Sequence, residues 1–108
     1  MKLWVDDVRP APQGYTLAKS VNEAKAIILD TEELASIPRM YDCNFCIELI
    51  DIDHDAGDFA QFGGDYIKLL DWLEETGRNI PIKIHSMNPV GVANMRAIIR
   101  RNGWREIL

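Results

Sequence analysis

Short apolar runs alternate with stretches of helical periodicity along this chain, and three of the runs end abruptly in acids or histidines. Leu3-Trp4-Val5 runs into Asp6-Asp7, Ile50-Asp51-Ile52 into Asp53-His54-Asp55, and Ile82-Lys83-Ile84 into His85-Ser86. Strands separated by helices of ten or more residues imply a parallel sheet, because parallel neighbours need a crossover between them. In an open parallel sheet, ligands bind beyond the carboxyl ends of the strands. The polar residues at the three run ends therefore read as one candidate site.

The remaining elements follow from local chemistry. Lys2 to Asp6 reads as a buried strand, and the prolines and glycine of Asp7 to Gly14 make a loop. Tyr15 to Ala18 is a second strand. Ser20-Val21-Asn22-Glu23 forms a capping box, and Val21, Ala24, Ile27 and Ile28 recur at helical spacing. That helix ends near Asp30 or continues unevenly to Leu34, and Pro38 breaks any helix there. Ile37 to Cys46 is irregular. Ile47 to Asp53 is a strand in which Ile50, Ile52 and His54 share one face while Asp51, Asp53 and Asp55 share the other. Asp55 to Gly64 is a glycine-rich loop, and Asp65 to Thr76 a helix with Tyr66, Leu69, Leu70 and Leu73 inward. Ile80 to His85 is a strand. Asn88 caps a helix with Pro89 at its first position and Asn102-Gly103 at its end, and Trp104 to Leu108 is the last strand. The expected fold is α/β, three-layered and doubly wound, one domain over residues 1–108.

Composition narrows the function classes. At 108 residues with 47% hydrophobic and 27% charged residues, the chain is an ordinary globular domain. Its net charge of −5 excludes strong non-specific nucleic-acid binding. The arginines Arg96, Arg100, Arg101 and Arg105 read as a solvated helix face. No secretory signal and no membrane-spanning run is visible, so a cytoplasmic location is expected. Cys43 and Cys46 form one Cys-x-x-Cys without a second pair, which reads as reduced thiols rather than a structural zinc site. Trp4, Tyr66 and Trp72 read as core residues.

The strand ends point to phosphate chemistry. Hydrolysing a phosphate ester requires a base to take a proton from water and an acid to protonate the departing alkoxide. Imidazole serves for either, because its ordinary pKa lies near 6.5. If the third and fourth strands are neighbours, His54 and His85 can flank one phosphate; which is acid and which is base stays open. Asp53 or Asp55 can orient a ring, and Ser86, Asn88 and Arg9 can supply donors. The helix start at Asn88-Pro89 adds a positive dipole end. Asp6, Asp7 and Asp53 would repel a phosphate dianion. No motif demands a cofactor, but Mg²⁺ or another divalent cation held by those three would offset them.

These residues resemble a receiver domain, the flavodoxin-like module of two-component signalling. Asp6-Asp7 resembles its acidic pair, Asp53 its phosphoacceptor and Ser86 its hydroxyl residue. The resemblance implies strand order 2-1-3-4-5, here with the first helix replaced by the Asp7–Gly14 loop and the last helix and post-strand lysine absent. A closer resemblance is to the cyclic-phosphate-processing receiver family of bacteria and phages. It is carried by Leu3-Trp4-Val5-Asp6-Asp7-Val8-Arg9-Pro10, Asp53-His54-Asp55-Ala56-Gly57 and His85-Ser86-Met87-Asn88-Pro89-Val90-Gly91. Ala56 stands where that family has leucine, and Val92 where it has a basic residue. The resemblance implies hydrolysis of a small cyclic phosphate or an RNA end with a 2′,3′-cyclic phosphate. The alternatives are a divergent receiver phosphorylated on Asp53, and a phosphate- or nucleotide-binding module without turnover.

Overall fold

A computed structural model of the chain describes residues 1–37 and 46–108. The expectations about Pro38 and Cys43, and most of the irregular Ile37 to Cys46 stretch, lie outside the described residues. The elements in order are β1 (Lys2–Val5), β2 (Tyr15–Ala18), α1 (Val21–Ala35), β3 (Leu49–Ile52), a 3₁₀ helix (Gly57–Phe62), α2 (Ile67–Glu75), β4 (Ile82–Ile84), α3 (Pro89–Asn102) and β5 (Glu106–Ile107). All strand pairs are parallel, in the order β2-β1-β3-β4-β5. Order and direction match the receiver-like expectation.

Local signals act as the sequence implies. The Ser20 hydroxyl accepts the Glu23 N–H at 3.0 Å and starts α1. The returning arm of the box differs: the Glu23 carboxylate meets the N–H of Lys19 at 3.4 Å. α1 continues to Ala35, past the expected Asp30 to Leu34. The glycine-rich loop contains the 3₁₀ turns of Gly57–Phe62, and α2 begins at Ile67 because Asp65 faces back to accept the Ala56 N–H at 3.1 Å. Gly77, at φ +69°, lets the Arg78 N–H return to the Leu73 carbonyl and closes α2.

Every right-handed crossover from β2 to β5 moves in the same direction across the sheet, so α1, α2 and α3 fall on one face. One core results. Leu3, Val5, Ile50, Ile52 and Ile82 of the sheet meet Val21, Ala24 and Ile28 of α1, Leu69, Leu70 and Leu73 of α2, and Met95, Ile98 and Ile99 of α3. The alternate residues Trp4, Asp51 and Lys83, aligned in neighbouring strands, point to the other face. Of the three layers expected, the third is a loop rather than helices. The Trp4 indole donates to the Arg9 carbonyl at 3.1 Å, and the Arg9 guanidinium donates to the His85 carbonyl at 3.0 Å, which draws the Asp7–Gly14 segment across this face.

Candidate functional site at the carboxyl ends of the strands

Each strand exits the sheet into a tight turn that fixes its polar end. Asp6 is fully buried. Its Oδ1 accepts the N–H groups of Val8 and Arg9, at 3.0 and 3.1 Å, and its Oδ2 faces the His85 Nε2 at 2.8 Å. Burial works against its ionised form, but the backbone donors and His85 outweigh it and hold the carboxyl below the usual range. Asp53 accepts the His54 N–H at 2.8 Å. Carboxylate oxygens of Asp6, Asp7 and Asp53 lie within 4.8 Å of one another. Burial first, then the charges of Asp6 and Asp53, push the Asp7 carboxyl above its ordinary value. Three hard oxygen donors, one of them destabilised by its neighbours, are the donor set that suits a divalent cation such as Mg²⁺.

β3 and β4 are neighbours, as the sequence reading requires. Their histidines nevertheless do not share a mouth. His85 continues the phase of Lys83 and lies on the loop-covered face, where its ring stacks on Trp4 with centroids 3.9 Å apart and planes 5° from parallel. Its Nδ1 meets the Asp51 carboxylate at 2.6 Å, and its Nε2 meets Asp6. A neutral imidazole has one N–H, so two carboxylates on its two nitrogens select the imidazolium. Burial opposes that charge, and the two carboxylates overcome it, raising the pKa of His85. With both nitrogens occupied, His85 has no free lone pair for a substrate.

His54 continues the phase of Ile50 and Ile52 and lies on the helix-covered face. Its ring rests on Gly91 in the first turn of α3, where any Cβ would overlap the imidazole. Its Nδ1 meets the Asp55 carboxylate at 2.8 Å, and the Asn88 amide lies 3.5 Å from the same nitrogen. Its Nε2 makes no hydrogen bond with any described residue. An Nδ1–H held by Asp55 leaves the lone pair on Nε2, the arrangement of an oriented general base.

The other expected residues divide in the same way. The Ser86 hydroxyl oxygen accepts the Asn88 N–H at 3.1 Å, which leaves its own proton free to donate. The Asn88 side chain caps Gly91 at 3.0 Å, and the Asn88 carbonyl takes the Val92 N–H. Since Pro89 has no N–H, the start of α3 offers fewer free donors than expected. Arg9 braces the loop through its bond to the His85 carbonyl. Asp51, which the sequence reading did not treat as a site residue, completes the Asp51–His85–Asp6 chain. The available signal was an aspartate inside an apolar strand, in phase with Asp53.

A parallel sheet in the order 2-1-3-4-5, with an acidic cluster at the ends of its first and third strands, defines a receiver-like α/β domain. The family model of the cyclic-phosphate processing receiver domain matches residues 1–101, and the chain belongs to that family. No curated protein and no solved structure matches it. Among the described residues, no helix is long and apolar enough to cross a membrane.

Proposed function

We propose that the domain binds and hydrolyses a cyclic phosphodiester at the β3 and β4 ends, with His54 as the proton-transfer group. The observation that carries this reading is the His54 ring, fixed through Nδ1 to Asp55 with the Asn88 amide at the same nitrogen, while Nε2 has no hydrogen-bond partner among the described residues. His54 takes a proton from water as the water oxygen bonds to phosphorus. One P–O bond of the ring breaks, and the departing alkoxide takes a proton from solvent, so the net change is addition of one water. Ser86 donates to a phosphate oxygen, and the Asn88 amide steadies the ring of His54 and Asp55.

Asp6, Asp7 and Asp53 would hold a divalent cation, whose chemistry when bound is neutralisation of phosphate charge and activation of water. His85 is a positioning residue in this scheme. It fixes Asp6 from the opposite face and supplies a positive charge to a cluster of carboxylates. This differs from the pairing of two histidines around one phosphate, because β3 and β4 alternate in step while His54 lies two residues beyond Ile52 and His85 one beyond Ile84, which puts the rings on opposite faces.

Phosphorus NMR of 2′,3′-cyclic nucleotides and related cyclic phosphates, incubated with the protein with and without Mg²⁺, tests the proposal. Hydrolysis is expected, with a loss of roughly 10²-fold or more in His54→Ala. His85→Gln should lose activity through weaker metal dependence, not through an altered proton-transfer limb of the pH profile. Absence of turnover across the panel would reject catalysis.

One observation favours a second reading, phosphorylation of Asp53 in a divergent receiver: Asp53 sits with Asp6 and Asp7 in one acidic cluster. Acetyl phosphate with Mg²⁺ would then add one phosphoryl group to Asp53, and an unchanged mass would reject it.

A further inference from the structure

Beside α3, on the flank facing β5, lies an open groove of about 560 Å³. Ser86 and Met87 stand at its upper end, Val92 and Ala93 along it, and Arg96 and Arg100 farther down the helix. We infer that this groove holds the nucleotide chain leading to the cyclic phosphate, so that the substrate is an oligoribonucleotide end rather than a free cyclic mononucleotide. The inference rests on the proposed hydrolysis, because Ser86 belongs both to the groove and to the phosphate position.

Charge is the first argument. The chain is acidic overall, and several of its arginines are already committed. Arg78 is bonded through two nitrogens to Glu32, Arg101 through two to Glu74, and Arg9 to a carbonyl. Arg100 is exposed and makes no ion pair with any described residue. Arg96 meets Glu106 through Nε at 2.8 Å, which leaves its terminal amino groups available. Residues four apart on a helix lie side by side, roughly 5–6 Å apart at Cβ. Two guanidinium groups in that relation suit successive phosphates of a single strand.

Apolar exposure is the second. Met87, 83% exposed and not needed by the core, stands at the upper end with Val92 next along the groove. A polarisable thioether and a branched side chain next to the phosphate position provide a surface for a nucleobase or ribose. The groove thus reads, from its upper end downward, as a phosphate donor, an apolar surface and two cations, which is the order along an RNA 3′ end. An arginine face that serves only solvation would show none of the coupling described next.

Fluorescence anisotropy with a labelled hexaribonucleotide ending in a 2′,3′-cyclic phosphate, the same hexamer ending in a 3′-hydroxyl, and a cyclic mononucleotide as competitor tests this in the full chain with Mg²⁺. The cyclic-ended hexamer should bind most tightly. With two phosphate contacts on a single strand, its affinity should fall about 7-fold between 50 and 200 mM salt. Arg100→Gln should remove about half of the logarithmic salt slope, and the double variant with Arg96→Gln nearly all of it. Hydrolysis of the mononucleotide should stay unchanged in both variants. Arg100→Gln changes an exposed residue without an ion pair among the described residues, so it keeps the test valid if loss of the Glu106 bridge disturbs folding. A hexamer that binds no better than the mononucleotide, or an unchanged slope in Arg100→Gln, would overturn the groove while leaving hydrolysis standing. Equal binding of both hexamers with a flattened slope in the variants would retain the groove and reject the cyclic phosphate. Binding of no ligand would overturn both.

Discussion

His85 shows how one ring can organise two strand ends. Its stacking on Trp4 fixes the plane, and the carboxylates of Asp51 and Asp6 fix the rotation and select the charged form. The raised pKa has a definite sign in stability. A base whose folded pKa exceeds its unfolded value stabilises the fold fully below about pH 6.5 and loses that contribution as pH rises through the folded value. The melting temperature of His85→Gln should therefore lie furthest below that of the unaltered chain near pH 6, and the gap should narrow in alkaline solution. Thermal unfolding of both proteins from about pH 5.5 to 9 checks this. Nitrogen-15 spectra of the ring should show protons on both nitrogens above pH 6.5. A gap that widens with pH would contradict the imidazolium. His54 is the opposite case: one nitrogen is bound to an exposed acid and the other has no partner among the described residues, as the proposed proton transfer requires.

At the scale of elements, the first turn of α3 is the part that packs on His54, the proposed proton-transfer group. Gly91 brings the helix backbone against the His54 ring, and Asn88 both caps the helix and touches Nδ1. Gly91→Ala would place a methyl group where the imidazole lies. Overpacking of this kind costs about 1–3 kcal/mol, and much of it can be relieved by moving His54. The expected result is a modest fall in melting temperature with a large fall in kcat for the cyclic phosphate, whereas Ser20→Ala, at the distant start of α1, should cost about 1 kcal/mol of stability and leave kcat intact. Equal effects of the two on kcat would remove the special role of α3. Much of this was legible in the chain. The capping residues Ser20 and Asn88, the Gly77 and Gly103 stops and the apolar runs are local signals, and right-handed crossovers convert them into the sheet order. The relation between the two histidines was also written there, in strand phase: His54 is two residues beyond Ile52, whereas His85 is one beyond Ile84. Treating strand ends as a shared location, without carrying the alternation through them, merged two faces. Other features had no local signal. The bond from Arg9 to the His85 carbonyl joins distant segments, and the 3₁₀ turns of Gly57–Phe62 have no apolar periodicity to mark them.

For the whole molecule, the acidic cluster would link folding to the proposed cation binding. Asp6 and Asp7 leave the end of β1 and Asp53 leaves the end of β3, so their oxygens converge only once the parallel sheet has formed. A cation that binds the converged set and not the unfolded chain stabilises the fold by about 2.7 kcal/mol at a hundredfold excess over Kd. For a domain of this size, each kcal/mol moves Tm by roughly 4–8 °C. Without the cation the same convergence is unfavourable, as the raised pKa of Asp7 indicates. Its carboxyl ionises less readily in the fold than in the unfolded chain, so the sign runs against stability once both forms are ionised near neutral pH. Replacing Asp7 with asparagine separates the two effects. In the presence of a chelator, Asp7→Asn should melt above the unaltered chain, because one of three crowded charges is gone. In millimolar Mg²⁺ the order should reverse, because the variant has lost a ligand and gains little. Thermal scans of both proteins in chelator and across a Mg²⁺ titration measure the crossing directly. Parallel shifts in the two proteins would mean that the cation binds elsewhere, and then the carboxylate cluster would have to be balanced by His85 and the backbone donors of the β1 turn alone.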